Sequence, residues 1–121
     1  GDDVSAVASA AIVYEVNVEL DAAIEDDYRG WLDAHVREIL APPGFTGARI
    51  LDVIEPRPDA GRIALCVQYA LRDAAAPDAY LRDHAPRLRA DGVARFGDRF
   101  RARRRVLRDP RTSSDSPHSR E

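Results

Sequence analysis

Lysine and methionine are missing from this sequence of 121 residues, and cysteine occurs once, at Cys66. A single cysteine excludes an internal disulfide framework and a metal site built from several cysteines. No apolar run approaches the roughly 18 residues that cross a membrane, so we expect no membrane partner. Residues 1–11 lack the basic and strongly apolar regions of a signal peptide, and we expect a cytoplasmic protein. The remaining composition, 45% hydrophobic and 32% charged, is typical of one globular domain.

The sequence motifs of common catalytic and metal sites are also missing. It contains no glycine-rich phosphate loop, no His-Glu-x-x-His zinc motif, no Gly-x-Ser-x-Gly nucleophile motif and no cluster of cysteine and histidine ligands. We therefore predict no metal and no cofactor. Whether the chain is an enzyme stays open at this point.

Charge is distributed unevenly along the chain, although the formal net charge is only −3. Residues 1–60 hold 13 acidic residues and 4 arginines, whereas residues 61–121 hold 8 acidic residues and 14 arginines. The segment 95–111 alone carries eight arginines, a pattern that also occurs in nucleic-acid-binding proteins. Because the whole protein is acidic, we favour neutralisation of these arginines by the acidic half and expect no nucleic-acid partner.

Hydrophobic periodicity predicts four strands. Apolar and polar residues alternate over 12–20, 62–71 and 99–107, which is typical of half-buried strands. The apolar segment 47–55 also predicts a strand, but its faces cannot be assigned because both parities are apolar. Arg104 falls on the apolar side of the last strand, where it needs a bulge, a buried partner or a strand end.

Two helical segments separate these strands. Apolar residues recur at three- and four-residue spacing over 24–39, which predicts an amphipathic helix with Asp21 as its cap. A second helix is expected after Asp73, because an aspartate there can also cap a helix. Pro86 should kink or split this helix, and Gly97 should end it.

The order β-α-β-β-α-β predicts an α+β protein with the ferredoxin-like fold, a four-stranded antiparallel sheet with both helices on one face. We expect this domain to span residues 12–108, between an N-terminal extension (1–11) and a polar C-terminal tail (109–121). The first and last strands are neighbours in this fold. Glu15 and Glu19 are therefore expected to pair with arginines of the last strand.

The face of the sheet without helices is predicted to be a contact surface between two copies of the chain. It mixes polar and small apolar residues, and such a face is either solvated or packed on a second copy. Packing would also cover the exposed strand edges, so we favour a homodimer. The candidate residues of this face are Glu15, Asn17, Glu19, Gln68, Arg101 and Arg103.

Three segments give the sequence a family resemblance: IVYEVNVELDAAIEDDYRGWLDAHVREIL, PGFTGARI and YLRDHAPRLRADGVARFGDRFRARRRVL. Over residues 12–107 the chain resembles a bacterial domain-of-unknown-function family, number 4286, and HAPRLRADGVARFGDRF is the most distinctive stretch. That family is similar to the dimeric α+β-barrel superfamily, which implies a dimeric barrel. The superfamily includes cofactor-independent monooxygenases, haem enzymes, small isomerases and ligand-sensing domains, so the fold alone does not imply one function. In several members the ligand site lies between the sheet and the helices.

Aromatic and histidine side chains are expected to meet in that layer. The candidate ligand-pocket residues are Tyr14, Trp31, His35, Tyr69 and His84. For His35, a general base, a haem ligand and a structural core histidine are alternatives. Tyr14 and Tyr69 either orient a ligand or form hydrogen bonds within the core. Cys66 has no neighbouring base in the sequence and is expected to be structural.

The sequence therefore predicts a small homodimeric protein that binds a small molecule between sheet and helices, with a cofactor-independent enzyme as one form of this hypothesis. The alternative is a non-catalytic regulatory or protein-interaction module. Two observations favour that alternative: the missing catalytic motifs and the charged surface, whose basic residues are all arginine.

Overall fold

The computed structural model describes residues 6–7, 10–73 and 75–112. Its elements in chain order are strand β1 (Ile12–Asp21), a 3-10 turn (Ala22–Ile24), helix α1 (Glu25–Leu40), strands β2 (Phe45–Asp52) and β3 (Arg62–Leu71), helices α2 (Ala76–Asp83) and α3 (Ala85–Phe96), strand β4 (Phe100–Arg108) and a 3-10 turn (Pro110–Thr112). Most of the predicted N-terminal extension and C-terminal tail lies outside the described residues. Within the described ranges, no helix is both long enough and apolar enough to cross a bilayer.

The four strands form one antiparallel sheet in the order β2-β3-β1-β4. This order confirms the predicted ferredoxin-like fold, because the first strand lies between the third and the last. The register places Tyr14 opposite Tyr69 on β3 and Glu15 opposite Arg105 on β4. Since side chains alternate between the two faces of a strand, these pairs lie on opposite faces of the sheet.

The hydrophobic core lies between the sheet and the helices. Leu20 and Leu65 of the central strands and Leu88 of α3 are each at most 1% exposed. Burial of such side chains stabilises the fold by about 1.5–3 kcal/mol each. We call this side the helix-covered face of the sheet and the opposite side the open face.

The predicted break and end of the second helix agree with the structure, whereas the predicted cap of the first helix does not. As predicted, the second helix is split beside Pro86, with α2 and α3 meeting at His84, and Gly97 follows α3 with a φ of 60°. The predicted cap at Asp21 is wrong, because its side chain makes no capping hydrogen bond. Instead Asp21 Oδ1 accepts a hydrogen bond of 2.7 Å from Arg62, and β1 continues through Asp21.

Strand β2 starts and ends earlier than the predicted segment 47–55, at Phe45 and Asp52. The backbone N–H of Val53 still donates to Ala64 on β3. Beyond this point the segment contains Pro56, which has no N–H for the ladder, and pairing ends. The segment 53–61 is therefore a connection that leads to β3 rather than a continuation of the sheet.

Candidate functional site

A cavity lies between the sheet and the helices, in the layer where the sequence predicted a pocket. Four of the five predicted pocket residues line it: Tyr14, Trp31, His35 and Tyr69. The interior space is about 40 Å³, and the whole depression, including its mouth open to solvent, is about 490 Å³. One ordered water needs roughly 10–15 Å³, so a molecule larger than a few waters has to extend into the mouth.

The fold brings these side chains together through two local rules. Tyr14 and Tyr69 are directly opposite on adjacent strands, and their ring centroids are 5.8 Å apart. Trp31 and His35 are four residues apart on α1, so they share one face of the helix. Their rings stack at 4.3 Å with an interplanar angle of 21°. Tyr28, one turn before, packs against Trp31 at 5.4 Å.

The imidazole of His35 is a polar group of the cavity that lacks, in the part of the chain that the structure describes, a hydrogen-bond partner at one of its two ring nitrogens. Its Nδ1 atom is buried and makes no hydrogen bond within the described residues. Burial lowers the pKa of His35 to about 4; the nearby Asp91 opposes this shift, and the charge of Arg104 adds to it. At neutral pH the imidazole is therefore uncharged, with one N–H donor and one acceptor nitrogen.

Three tyrosines of the cavity, Tyr28, Tyr69 and Tyr80, keep their protons over the whole physiological range. Burial raises the pKa of Tyr28 and Tyr80 to about 12 and also raises the pKa of Tyr69. Tyr80 packs against Tyr14 with ring centroids 5.6 Å apart. The cavity thus offers neutral rings and hydroxyl groups rather than phenolate bases.

Two arginines stand at the cavity beside these neutral groups. Arg104 is exposed, lies opposite Val16 in regular pairing and lines the cavity together with Arg89 of α3. None of the three predicted explanations for Arg104 holds, because its strand has no bulge there, continues to Arg108 and leaves the side chain exposed. An arginine on the apolar side of a strand is tolerated where that side opens to solvent.

Other residues of the cavity were missed by sequence reasoning. Among them are Tyr28, Tyr80, Gly92 and Arg104. For Arg104 the sequence did contain a signal, its position among apolar residues. For Gly92 the signal was weaker, a glycine inside a helix, and the structure shows that a Cβ there would meet the Trp31 ring at 3.1 Å.

Two further candidates lie outside this cavity lining. His84, the fifth predicted pocket residue, stacks on Tyr80 with ring centroids 6.4 Å apart but does not line the cavity. Cys66 is on the open face, where burial and the neighbouring Glu15 carboxylate raise the pKa of its thiol to about 11. A thiol with this pKa is almost entirely protonated at neutral pH and is a weak nucleophile.

The open face carries the charge pairs expected from the sequence. Glu15 is 4% exposed and accepts hydrogen bonds from Asn17 at 2.9 Å, Gln68 at 3.0 Å and Arg105 at 2.6 Å. Burial alone would raise the pKa of Glu15, but the hydrogen bonds from Gln68, Arg105 and Asn17 outweigh it and lower the pKa to about 2. Glu15 is therefore a satisfied buried carboxylate.

The second predicted pair forms nearer the end of the sheet. Glu19 accepts a hydrogen bond of 2.6 Å from Arg101 and one of 3.4 Å from Arg62. Arg103 lies opposite Asn17 in the register. A groove of about 530 Å³ runs over this part of the face, between the segment 53–58 and the strands.

The donor sets of the described residues do not favour a bound metal or haem. No group of three or more His, Cys, Asp or Glu side chains is placed to hold an ion in the part of the chain that the structure describes. The interior space of about 40 Å³ is far below the roughly 300–1,000 Å³ of pockets for large organic ligands. A haem macrocycle does not fit beside His35 in this arrangement.

This fold defines the structural class of the protein, the ferredoxin-like α+β proteins. Within that class, the family profile of DUF4286, a domain of unknown function, matches residues 11–109. The chain therefore belongs to the DUF4286 family. No curated protein matches the chain in sequence.

Several solved structures share the fold at low sequence identity. The heme-degrader MhuD from Mycobacterium tuberculosis, solved with two hemes bound in its active site, is 18% identical, with a TM-score of 0.57 over 82% of this chain and 95% of that one. A putative antibiotic biosynthesis monooxygenase from Nitrosomonas europaea is 15% identical, with a TM-score of 0.52 over 84% and 92%. An "ethyl tert-butyl ether d (ethd)" family protein from Bacillus halodurans is 13% identical, with a TM-score of 0.50 over 80% of this chain and 98% of that one. At these identities the likeness shows the fold and does not transfer an activity.

Proposed function

We propose that this protein binds a small organic molecule in the cavity between the sheet and the helices. The observation that carries this proposal is the Nδ1 atom of His35, which is buried in an aromatic cavity without a hydrogen-bond partner among the described residues. An unsatisfied buried polar atom costs about 1–3 kcal/mol. A ligand that supplies the missing hydrogen bond recovers this free energy on binding.

The electrostatics favour binding over acid–base catalysis at this position. A general base works best when its pKa is near the working pH, whereas the pKa of His35 is lowered to about 4 by burial. Tyr28 and Tyr80, whose pKa values burial raises to about 12, act as hydrogen-bond donors rather than bases. The cavity is therefore suited to hold and orient a ligand.

Trp31 allows a direct test, because it is the chain's only tryptophan and lines the cavity. We expect at least one member of a library of small aromatic and heterocyclic metabolites to raise the melting temperature and to quench the fluorescence of Trp31. Replacing Gly92 with alanine places a methyl group against the Trp31 ring, since a Cβ at this position lies only 3.1 Å from the nearest ring atom. Gly92→Ala should weaken binding about tenfold, or about 1.4 kcal/mol.

Val93→Ala is the matched control, because Val93 follows Gly92 on α3 and is 58% exposed. This variant should bind the same compound with wild-type affinity. The proposal is wrong if no compound changes either signal, or if Gly92→Ala binds as tightly as the wild type.

For the open face we propose contact with a second copy of the chain. Its central carboxylate, Glu15, is already satisfied within one chain, so burial against a twin does not leave this charge unpaired. Ile54 is 79% exposed on the segment that borders the groove, and burial of this side chain against a second copy would favour the contact.

Sedimentation equilibrium over the micromolar range should give the mass of two chains. Ala64→Arg, in the groove, should convert the protein to single chains, because it replaces a small side chain of the proposed contact surface with a long charged one. Ala90→Arg, on the exposed side of α3, is the matched control and should remain dimeric. A wild-type mass of one chain across this range contradicts the homodimer.

A further inference from the structure

Arg104 lies on the opposite face of β4 from Arg101, Arg103 and Arg105. Arg101, Arg103 and Arg105 alternate onto the open face, where Arg101 and Arg105 pair with glutamates. Arg104 falls between them, opposite Val16, and therefore belongs to the helix-covered face. Of the residues of β4, Arg104 is therefore the arginine that lines the cavity.

The guanidinium group of Arg104 has no carboxylate partner in the part of the chain that the structure describes. None of the ion pairs formed by the described residues includes Arg104 or Arg89, although both line the cavity. Asp91 is close enough to act on His35 electrostatically, but it forms no ion pair with Arg104. Arg104 lines the cavity together with His35, Tyr28, Tyr69 and Tyr80, and besides the larger effect of burial its positive charge lowers the pKa of each of these groups.

The size of the cavity limits what lies beside this charge. Its interior space of about 40 Å³ is smaller than the roughly 150 Å³ of an apolar cavity that takes up benzene. A flat ring therefore lies partly in the mouth, where its edge reaches Arg104 and Arg89. The stacked pair of Trp31 and His35 offers a flat surface for such a ring.

We propose that the ligand is a small conjugated acid, a single aromatic or enolic ring bearing one carboxylate, with the carboxylate paired to Arg104. This inference rests on the proposed function and specifies the chemical class of its ligand. A guanidinium group matches a carboxylate with two parallel hydrogen bonds, which gives both affinity and orientation. Arg89 adds a second positive charge on the opposite wall, so anions are favoured over neutral molecules of the same shape.

Benzoate and benzamide test this inference, because they have the same ring and nearly the same shape but differ in charge. Both are titrated into the full chain while the fluorescence of Trp31 is followed. We expect benzoate to bind about tenfold more tightly than benzamide. Arg104→Gln should abolish this preference by weakening benzoate binding and leaving benzamide binding unchanged, and Arg104→Lys should keep part of it.

Arg103→Gln is the matched control, since Arg103 is the neighbouring arginine on the open face, and it should retain the full preference. Equal affinity of the wild type for benzoate and benzamide overturns the inference but leaves the proposed cavity function standing. A preference that survives in Arg104→Gln also overturns it. If neither probe quenches Trp31 and only neutral library compounds bind, the ligand is not an acid; if no compound binds at all, the cavity function itself fails.

Discussion

Two adjacent residues of β4, Arg104 and Arg105, show how differently the two faces of the sheet are built. Arg105 donates a hydrogen bond of 2.6 Å to a buried glutamate that also accepts from Asn17 and Gln68. Arg104, on the other face, has no carboxylate partner among the described residues and lies beside a histidine whose Nδ1 is unsatisfied. On the open face the buried Glu15 therefore finds its hydrogen-bond partners within one chain, whereas on the helix-covered face the Nδ1 atom of His35 finds none among the described residues.

This difference separates stability from binding. A buried polar network with all partners present stabilises one arrangement of the strands. Unpaired polar groups in a cavity cost free energy in the isolated chain. A ligand that supplies the missing hydrogen bonds or the opposite charge recovers this free energy when it binds. We therefore expect substitutions on the open face to act mainly on stability, and substitutions at the cavity to act mainly on binding and on its pH dependence.

The largest effect is expected from Glu15→Arg. The substitution removes the acceptor of three hydrogen bonds and places a second cation beside Arg105. The Arg105 side chain is 65% exposed, but the new cation stands at the buried position of Glu15, and an unpaired buried charge costs about 3–5 kcal/mol. Urea unfolding of wild type and variant measures the loss. Asp27→Arg, at an exposed site on α1, is the control and should change the unfolding free energy little. If Glu15→Arg and Asp27→Arg have the same unfolding free energy, the network around Glu15 does not stabilise the fold, and the proposed difference between the two faces of the sheet is wrong.

The network around Glu15 was within reach of sequence reasoning, because it follows from strand order and from alternation. Once the first strand lies beside the last, Glu15 and Glu19 must face arginines, and the register confirms this. The fold class follows from the same periodicity. What alternation cannot give is the distance between layers, which depends on how α1 and α3 pack on the sheet.

The candidate site was only partly predictable for this reason. Trp31 and His35 share a helix face by their spacing, and the sequence predicted both as pocket residues. Arg104 was singled out by its parity, but its surroundings depend on the position of α3 and on where the cavity opens. Asp21 was assigned as a cap because an aspartate precedes the helix, whereas the long-range partner Arg62 captures its side chain. A capping rule considers only the neighbouring backbone N–H groups, so it does not show that a side chain distant in sequence competes for the same carboxylate.

His35 should make the helix-covered face sensitive to mild acid. Burial lowers the pKa of His35 to about 4 in the folded chain, against about 6.5 when unfolded, so the unfolded state binds the proton first. Its contribution to stability is complete above pH 6.5 and is lost as the pH falls toward 4. The shift corresponds to at most about 3 kcal/mol, and because His35 is only partly buried we expect about 2 kcal/mol.

Urea unfolding at a series of pH values between 7 and 4 checks this expectation in the wild type and in His35→Phe. The variant should lose the dependence in this window. Glu15 does not contribute to the dependence between pH 7 and 4.5, because the effect of burial is outweighed by its hydrogen bonds, which lower its pKa to about 2, so that its contribution to stability is lost only below pH 4.5. A wild-type profile that is flat between pH 7 and 5 would mean that His35 is solvated and that the two faces are less different.

The smallest effect is expected from Glu19→Gln, and it sharpens the contrast within the open face itself. A hydrogen bond from Arg101 lowers the pKa of Glu19, but the Arg101 side chain is 73% exposed. Salt screens exposed pairs and leaves buried ones largely intact. Glu19→Gln should therefore lower the melting temperature slightly in dilute buffer, and the difference should vanish in 1 M NaCl, where the Debye length is about 3 Å. Glu15→Gln is the matched comparison, and its larger loss should persist in the same salt. If both losses vanish in salt, Glu15 behaves as a surface charge, and the open face owes its stability to apolar packing rather than to its network.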